Sequence, residues 1–220
     1  MPSPLRIAVL ASGRGSNFAA LLAARERGEL SADFVLLASD KPDAAALQLA
    51  RMAGVPTLLL EPRDYTERRD YDIALFERIA ASEPDVLVLA GFMRIIDGDA
   101  LKPWVGRMIN IHPSLLPKYR GLHTHRRALK AGDTEHGASV HYVTAELDGG
   151  PVIAQTVLPI ETGDDENTLA AKLLPLEHRL LAAVVSLIAD NRLALTNSGV
   201  AFDNEPLRKP LRWHDGKLIR

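Results

Sequence analysis

LRIAVLASGRGSNFAALLAARER, residues 5–27, decides how the rest of the chain is read. Leu5 to Ala11 is an apolar run broken only by Arg6, the pattern of a strand buried on both faces. Ser12-Gly13-Arg14-Gly15 is a turn, and Ser16 or Asn17 is placed to cap a helix from Phe18 to about Arg27. A strand without a polar face that turns tightly into a helix opens a βαβ unit. Glycines permit positive φ and close backbone approach, while the N–H groups and dipole of a helix start attract an anion, typically phosphate. Neither standard nucleotide fingerprint is met. The G-x-G-x-x-G pattern would need glycine where Phe18 stands, and the P-loop Gly-Lys-Ser/Thr is missing. Taken alone, the turn fits a plain capped connection as well as an anion cradle.

The alternation continues outward from this unit. Strands are expected at Phe34–Ala38, Thr57–Leu60, Val86–Ala90 and Met108–Ile111. Helices are expected at Asp43–Ala53, closed by Gly54, and at Tyr65–Ala81, which stops before Glu83-Pro84. This spacing implies a parallel sheet with right-handed crossovers. The pattern changes after about residue 133. Ala138–Thr144 alternates, Pro151–Ile160 is a second strand-like run, and Gly149-Gly150 lies between them, which reads as an antiparallel addition. Glu166–Ala189 reads as a long helix interrupted near Pro175, and 191–220 as short strand or tail segments. No repeat, low-complexity stretch or linker divides the chain. The expectation is one domain over 1–190, with 191–220 packed on it.

Composition narrows the class. The 220 residues carry 26 Lys and Arg against 28 Asp and Glu, a net charge of −2, so no global field draws the chain to nucleic acid. Hydrophobic residues at 47% and charged residues at 25% are ordinary for a globular protein. With no cysteine, a disulfide framework, a thiolate nucleophile and a Cys-ligated metal are excluded. The N-terminal residues lack the pattern of a secretory signal, and no apolar run approaches the roughly 20 residues of a membrane span. A cytoplasmic location is expected.

Five of the seven histidines fall between His112 and His141. Asn110 and His112 stand two apart at a strand end, so their side chains leave the same face if the strand persists. Ligands of open α/β sheets bind beyond the carboxyl ends of strands. Such a place suits a histidine that titrates near neutrality and an amide that donates to a developing oxyanion. Zinc-type spacings such as H-E-x-x-H are missing, and no metal is expected. Leu147-Asp148-Gly149-Gly150-Pro151 reads as a turn by composition, or as a carboxylate held beside His112 that raises its pKa.

SGRGSN at 12–17, LAGFMRI at 89–95, NIHPSLLPKYRGLHTH at 110–125, HGASVHYVTAELDGGPVIAQ at 136–155 and LEH at 176–178 together resemble the formyltransferase superfamily that uses 10-formyltetrahydrofolate. The segments occur in the family order across most of the chain. Arg14 stands where relatives often carry a small polar residue, and Arg120 where some carry proline. The resemblance implies a catalytic triplet of Asn110, His112 and Asp148. It implies that Gly15, Ser16, Asn17 and Glu177 hold a phosphoribosyl substrate. It places folate near Arg68, near Met93, Arg94, Ile95 and Ile96, at Asn110, and along the loop Thr144, Ala145, Glu146, Leu147 and Asp148.

The fold class expected is α/β, a Rossmann-like mostly parallel sheet with helices on both faces and an antiparallel C-terminal addition. The activity implied is direct transfer of a formyl group from 10-formyltetrahydrofolate to the amine of 5-phosphoribosylglycinamide in purine biosynthesis. Both partners are small molecules, the 10-formyltetrahydrofolate being a co-substrate. No metal, nucleic acid or membrane is called for, and a monomer or homodimer is expected. Three other activities are compatible with parts of the pattern. A 10-formyltetrahydrofolate deformylase would use water as acceptor and usually carries an N-terminal regulatory domain. A methionyl-tRNA formyltransferase usually adds a C-terminal RNA-binding domain, for which 220 residues and a charge of −2 leave little room. A non-catalytic nucleotide-binding module would not need the Asn-His-Asp set.

Overall fold

The computed structural model describes residues 3–220. The chain forms two compact units, one ending at Asn110 and one covering Ile111–Arg220.

In the first unit five strands form a parallel sheet: β1 (Leu5–Leu10), β2 (Ala32–Ser39), β3 (Thr57–Leu59), β4 (Val86–Leu89) and β5 (Met108–His112), the last continuing two residues into the second unit. Hydrogen bonding gives the order β3-β2-β1-β4-β5. Ile7, Val9, Leu10, Leu87 and Val88 are completely buried, as both-face burial of a parallel sheet requires. The connections are α1 (Ser16–Glu26), α2 (Ala45–Met52) and α3 (Arg68–Ala80), followed by the short α4 (Gly98–Leu101). Right-handed crossovers running outward from β1 to β3, then back to β4, put α1 and α2 on one face and α3 on the other. The order therefore reverses between β1 and β4, where doubly wound sheets open a crevice at their carboxyl ends. Trp104 is buried ahead of the amino end of β5, 6.1 Å from the Phe76 ring and with the Arg107 guanidinium 5.1 Å from its centre.

The start of α1 differs from the expected side-chain cap. Gly15 is the N-cap, at φ 76°, and Ser16 is already helical. A Cβ on Gly15 would stand 2.8 Å from the Cβ of Ala46, so glycine is required by both conformation and space. The helix α3 begins at Arg68 rather than Tyr65, because Pro62–Asp64 makes a 3₁₀ turn and Glu67 is extended.

The second unit is built on β6 (Glu135–Tyr142) and β7 (Val152–Pro159), paired antiparallel as expected. Two helices accompany them, α5 (Thr124–Ala131) and α6 (Glu166–Ala189), and α6 packs on β6, β7 and α5. The expected interruption at Pro175 does not occur, since α6 runs through it. Its start is fixed by a capping box between Asp165 and Thr168, and buried Leu169, Leu173, Leu180, Leu181, Val184 and Val185 hold its length. The segment after Asn191 is ordered into strands. β8 (Leu193–Thr196), β9 (Gly199–Phe202) and β10 (Glu205–Pro206) form a small antiparallel sheet. β11 (Leu211–His214), which carries the half-buried Trp213, then runs parallel to β7, and β12 (Lys217–Ile219) closes antiparallel to β11. Among the described residues no helix is long and apolar enough to cross a membrane.

Candidate active site

Two loops at the reversal point of the first unit meet each other. Ser12 donates its amide to the Gly91 carbonyl, and its hydroxyl accepts from the Met93 amide at 2.9 Å. The turn 12–15 and the segment after β4 are thus joined at the carboxyl ends of β1 and β4. At the start of α1, Gly15, Ser16 and Asn17 occupy the positions whose N–H groups lack intrahelical partners. Asn17 is 8% exposed, and its Oδ1 has no hydrogen-bond partner. In the loop after β4, Phe92 and Ile96 point inward while Met93 and Ile95 are exposed, and Arg94 lies with its guanidinium 4.6 Å from the centre of the Tyr71 ring. Arg68 opens α3 and is exposed. Asn110 is half-buried, and β5 persists through His112, so the two residues share one face of that strand.

In the second unit the structure brings His112 and Asp148 together across 36 residues of chain, with Nδ1 3.4 Å from Oδ2. Asp148 is held from three sides. The Gly121 amide donates to Oδ2 at 2.8 Å, His112 faces the same oxygen, and His141 Nε2 lies 3.6 Å from Oδ1. Burial pushes the Asp148 carboxyl up, but the close His141 ring, the hydrogen bond from Gly121 and the neighbouring His112 outweigh it and bring it to about 2. Asp148 is therefore an anion throughout the physiological range. Its backbone sits at φ 47°, and the glycines that follow are required by space: a Cβ at Gly150 would stand 1.9 Å from the Tyr142 carbonyl oxygen, and one at Gly149 2.4 Å from the Glu146 carboxylate.

His112 departs from the sequence expectation. Burial lowers its pKa more than the Tyr119 carbonyl and Asp148 raise it, so the resting ring is neutral near pH 7. Its Nε2 donates to the Tyr119 carbonyl at 3.0 Å, which places the proton on Nε2 and leaves Nδ1 toward the carboxylate. Both nitrogens face acceptors, an arrangement that satisfies the cation better than the neutral ring.

The segment around His112 is anchored by groups that spacing alone did not single out. Ser139 Oγ accepts from the Leu116 amide and donates to the Ser114 carbonyl, and Gln155 donates to the Leu116 carbonyl. Tyr119 donates its hydroxyl to Asp133, which also pairs with Lys118. Arg120 forms an ion pair with Glu146, joining the segment to the loop Thr144–Asp148. In that loop Ala145, Glu146 and Leu147 are exposed and Thr144 is half-buried. Glu177, on α6, is 9% exposed. The signal for Ser139, His141 and Gln155 was present in the quoted segment 136–155, where alternate residues of β6 and β7 carry polar groups into a buried face.

Residues 5–185 match the family described as formyl transferase, and the chain belongs to that family. Its relatives carry a more particular description. The phosphoribosylglycinamide formyltransferase of Escherichia coli strain K12 is 45% identical over 203 residues, covering 92% of this chain and 96% of that protein. The trifunctional purine biosynthetic protein adenosine-3 of Homo sapiens is 37% identical over 88% of this chain, which spans only 19% of its length. Among solved structures, the phosphoribosylglycinamide formyltransferase of Coxiella burnetii in complex with CHES superposes with a TM-score of 0.89 at 44% identity, covering 93% of this chain and 96% of that one.

Proposed function

We propose that the chain transfers the formyl group of 10-formyltetrahydrofolate to the amine of 5-phosphoribosylglycinamide, giving the formylated ribonucleotide and tetrahydrofolate in purine biosynthesis. The observation that carries this reading is the pairing of His112 with an Asp148 that is ionised at neutral pH, on a chain that matches the formyl transferase family. The acceptor amine attacks the formyl carbon, an oxyanion develops on the formyl oxygen, and the carbon–N10 bond then breaks. The amine loses a proton and N10 gains one.

In this scheme the Asn110 amide donates to the oxyanion. His112 starts neutral and takes up charge during the reaction, and the Tyr119 carbonyl and Asp148 carboxylate stabilise the resulting cation. A carboxyl near 2 is a poor store for a proton at pH 7, so Asp148 holds charge while His112 handles the proton. Gly15, Ser16 and Asn17 receive the phosphate and ribosyl end at the start of α1, where N–H groups and the helix dipole suit an anion. Glu177 contacts the same substrate. Arg68, Met93–Ile96, Asn110 and Thr144–Asp148 border the folate. Bringing the two substrates together supplies much of the remaining acceleration through orientation. We further read 1–190 as the formyltransferase domain with 191–220 packed on it, and the protein as a cytoplasmic monomer or homodimer acting on small molecules.

The deciding measurement is spectrophotometric release of tetrahydrofolate with and without the ribonucleotide. Strict dependence on the ribonucleotide, with formylated product recovered, is the expected result. Folate consumption without an acceptor would mean a hydrolase, and no turnover in either case would mean a binding module.

A further inference from the structure

Asp72 lies on α3 with 0% of its surface exposed. Its Oδ2 accepts from the backbone amide of Asp97 at 2.8 Å, across 25 residues of chain. Its Oδ1 has no hydrogen-bond partner. The charges of Arg94 and Arg68 favour its ionised form, and that of Asp97 opposes it. Arg94 is drawn onto the ring of Tyr71, the residue before Asp72, and its Nε is buried without a partner. A buried carboxylate with one oxygen unsatisfied is costly, and a site that needed only volume would take an apolar residue.

The geometry gives this carboxylate a task. The loop Phe92–Asp97 is fastened at its start by the Met93 amide on Ser12 Oγ, at 2.9 Å. Asp72 fastens its end. Between the two tethers Phe92 and Ile96 are turned inward, which leaves Met93 and Ile95 facing outward at 67% and 54% exposure. We propose that Asp72 is a positioning residue for this loop, fixing through the Asp97 amide and the Arg94 charge the surface that Met93 and Ile95 offer to the folate. The proposal rests on the reading that Met93–Ile96 border the folate.

Steady-state kinetics with both substrates varied separate the proposal from that reading. Met93→Ala and Ile95→Ala test the reading: each is expected to raise the folate KM about tenfold. An unmoved folate KM in both would remove the loop's role and the proposal with it. Asp72→Leu tests the proposal. It is expected to raise the folate KM by about tenfold or more and leave the ribonucleotide KM and the far-ultraviolet circular dichroism unchanged. Asp72→Asn, whose amide oxygen still accepts from Asp97, is expected to restore the folate KM to within about threefold. With the loop variants active on folate KM, a wild-type value in Asp72→Leu, a parallel rise of both KM values, or no rescue by asparagine would overturn it.

Should Asp72→Leu fail to fold, the donor is removed instead. Asp97 has φ −65°, the value proline imposes, so Asp97→Pro deletes the N–H with little backbone change. Asp97→Ala keeps the N–H and loses only the side chain. A folate KM about tenfold higher in the proline variant than in the alanine variant supports the tether, and equal values overturn it.

Discussion

Asp148 does two things at once, and a single substitution separates them. Asp148→Asn keeps the size and an acceptor but removes the charge beside His112. Turnover is expected to fall by about 10²–10⁴ with the fold intact, and unchanged kcat at pH 7.5 would refute the assignment. The charge of Asp148 raises the His112 pKa, so its loss should also move the acid limb of the remaining activity to lower pH. Gly150 tests the backbone beneath. A methyl group there would enter the Tyr142 carbonyl, and Gly150→Ala is expected to lose about 3 kcal/mol or more in urea unfolding. At this scale the sequence was informative about residues that stand in compact segments, such as Asn110, His112 and Asp148. It contained the segment that holds Ser139 and Gln155 but did not assign them, or the Gly121 amide, as supports, because their contacts join positions 16 to 39 residues apart. The Asp148 carboxylate raises His112 as its position suggests, but burial, a property of the folded chain, lowers it further.

Elements with a strong apolar signature were legible to within a few residues. β1, β4 and β5 are short runs buried on both faces, and no other structure explains them as well. Helix α5 was missed because THRRALKA is mostly polar and buries only Thr124 and Ala128. The break expected at Pro175 was overridden by packing along α6, which outweighs a lost hydrogen bond and a local clash. Pro175→Ala should therefore stabilise the protein by about 1–2 kcal/mol in urea unfolding, less than the full cost of an interior proline because the unfolded chain also gains freedom. At the start of α1 the cap is glycine rather than Ser16 or Asn17, so neither side chain serves as the helix cap. Ser16→Ala and Asn17→Ala are each expected to raise the ribonucleotide KM about tenfold with little change for folate. A shift in the folate KM instead would assign the turn to the wrong substrate.

Over the whole molecule, buried histidines set the acid limit of stability. His136 is held down to about 4 by burial and by its neighbour His125, whose Nδ1 lies 2.9 Å from His136 Nε2. Burial also lowers His125, His112 and His178. The unfolded chain takes up these protons near pH 6.5, and the folded chain resists until lower pH. Stability is therefore full above about 6.5 and is lost as pH falls toward 4, with His136 alone contributing about 3 kcal/mol. Asp148 adds a further loss between 3.8 and about 2, whereas Asp72, raised by burial, opposes it. Urea midpoints measured from pH 7.5 to 4 should fall steadily, and His136→Gln should flatten that slope. The chain also carries its own optical probes. Its two tryptophans fall one to each unit, Trp104 buried against Phe76 and Trp213 half-exposed on β11. Trp213→Phe leaves emission from the first unit alone, and Trp104→Phe from the second. Coincident fluorescence transitions in the two variants would mean that the units melt as a single cooperative body, and separated transitions would give each unit a melting point of its own.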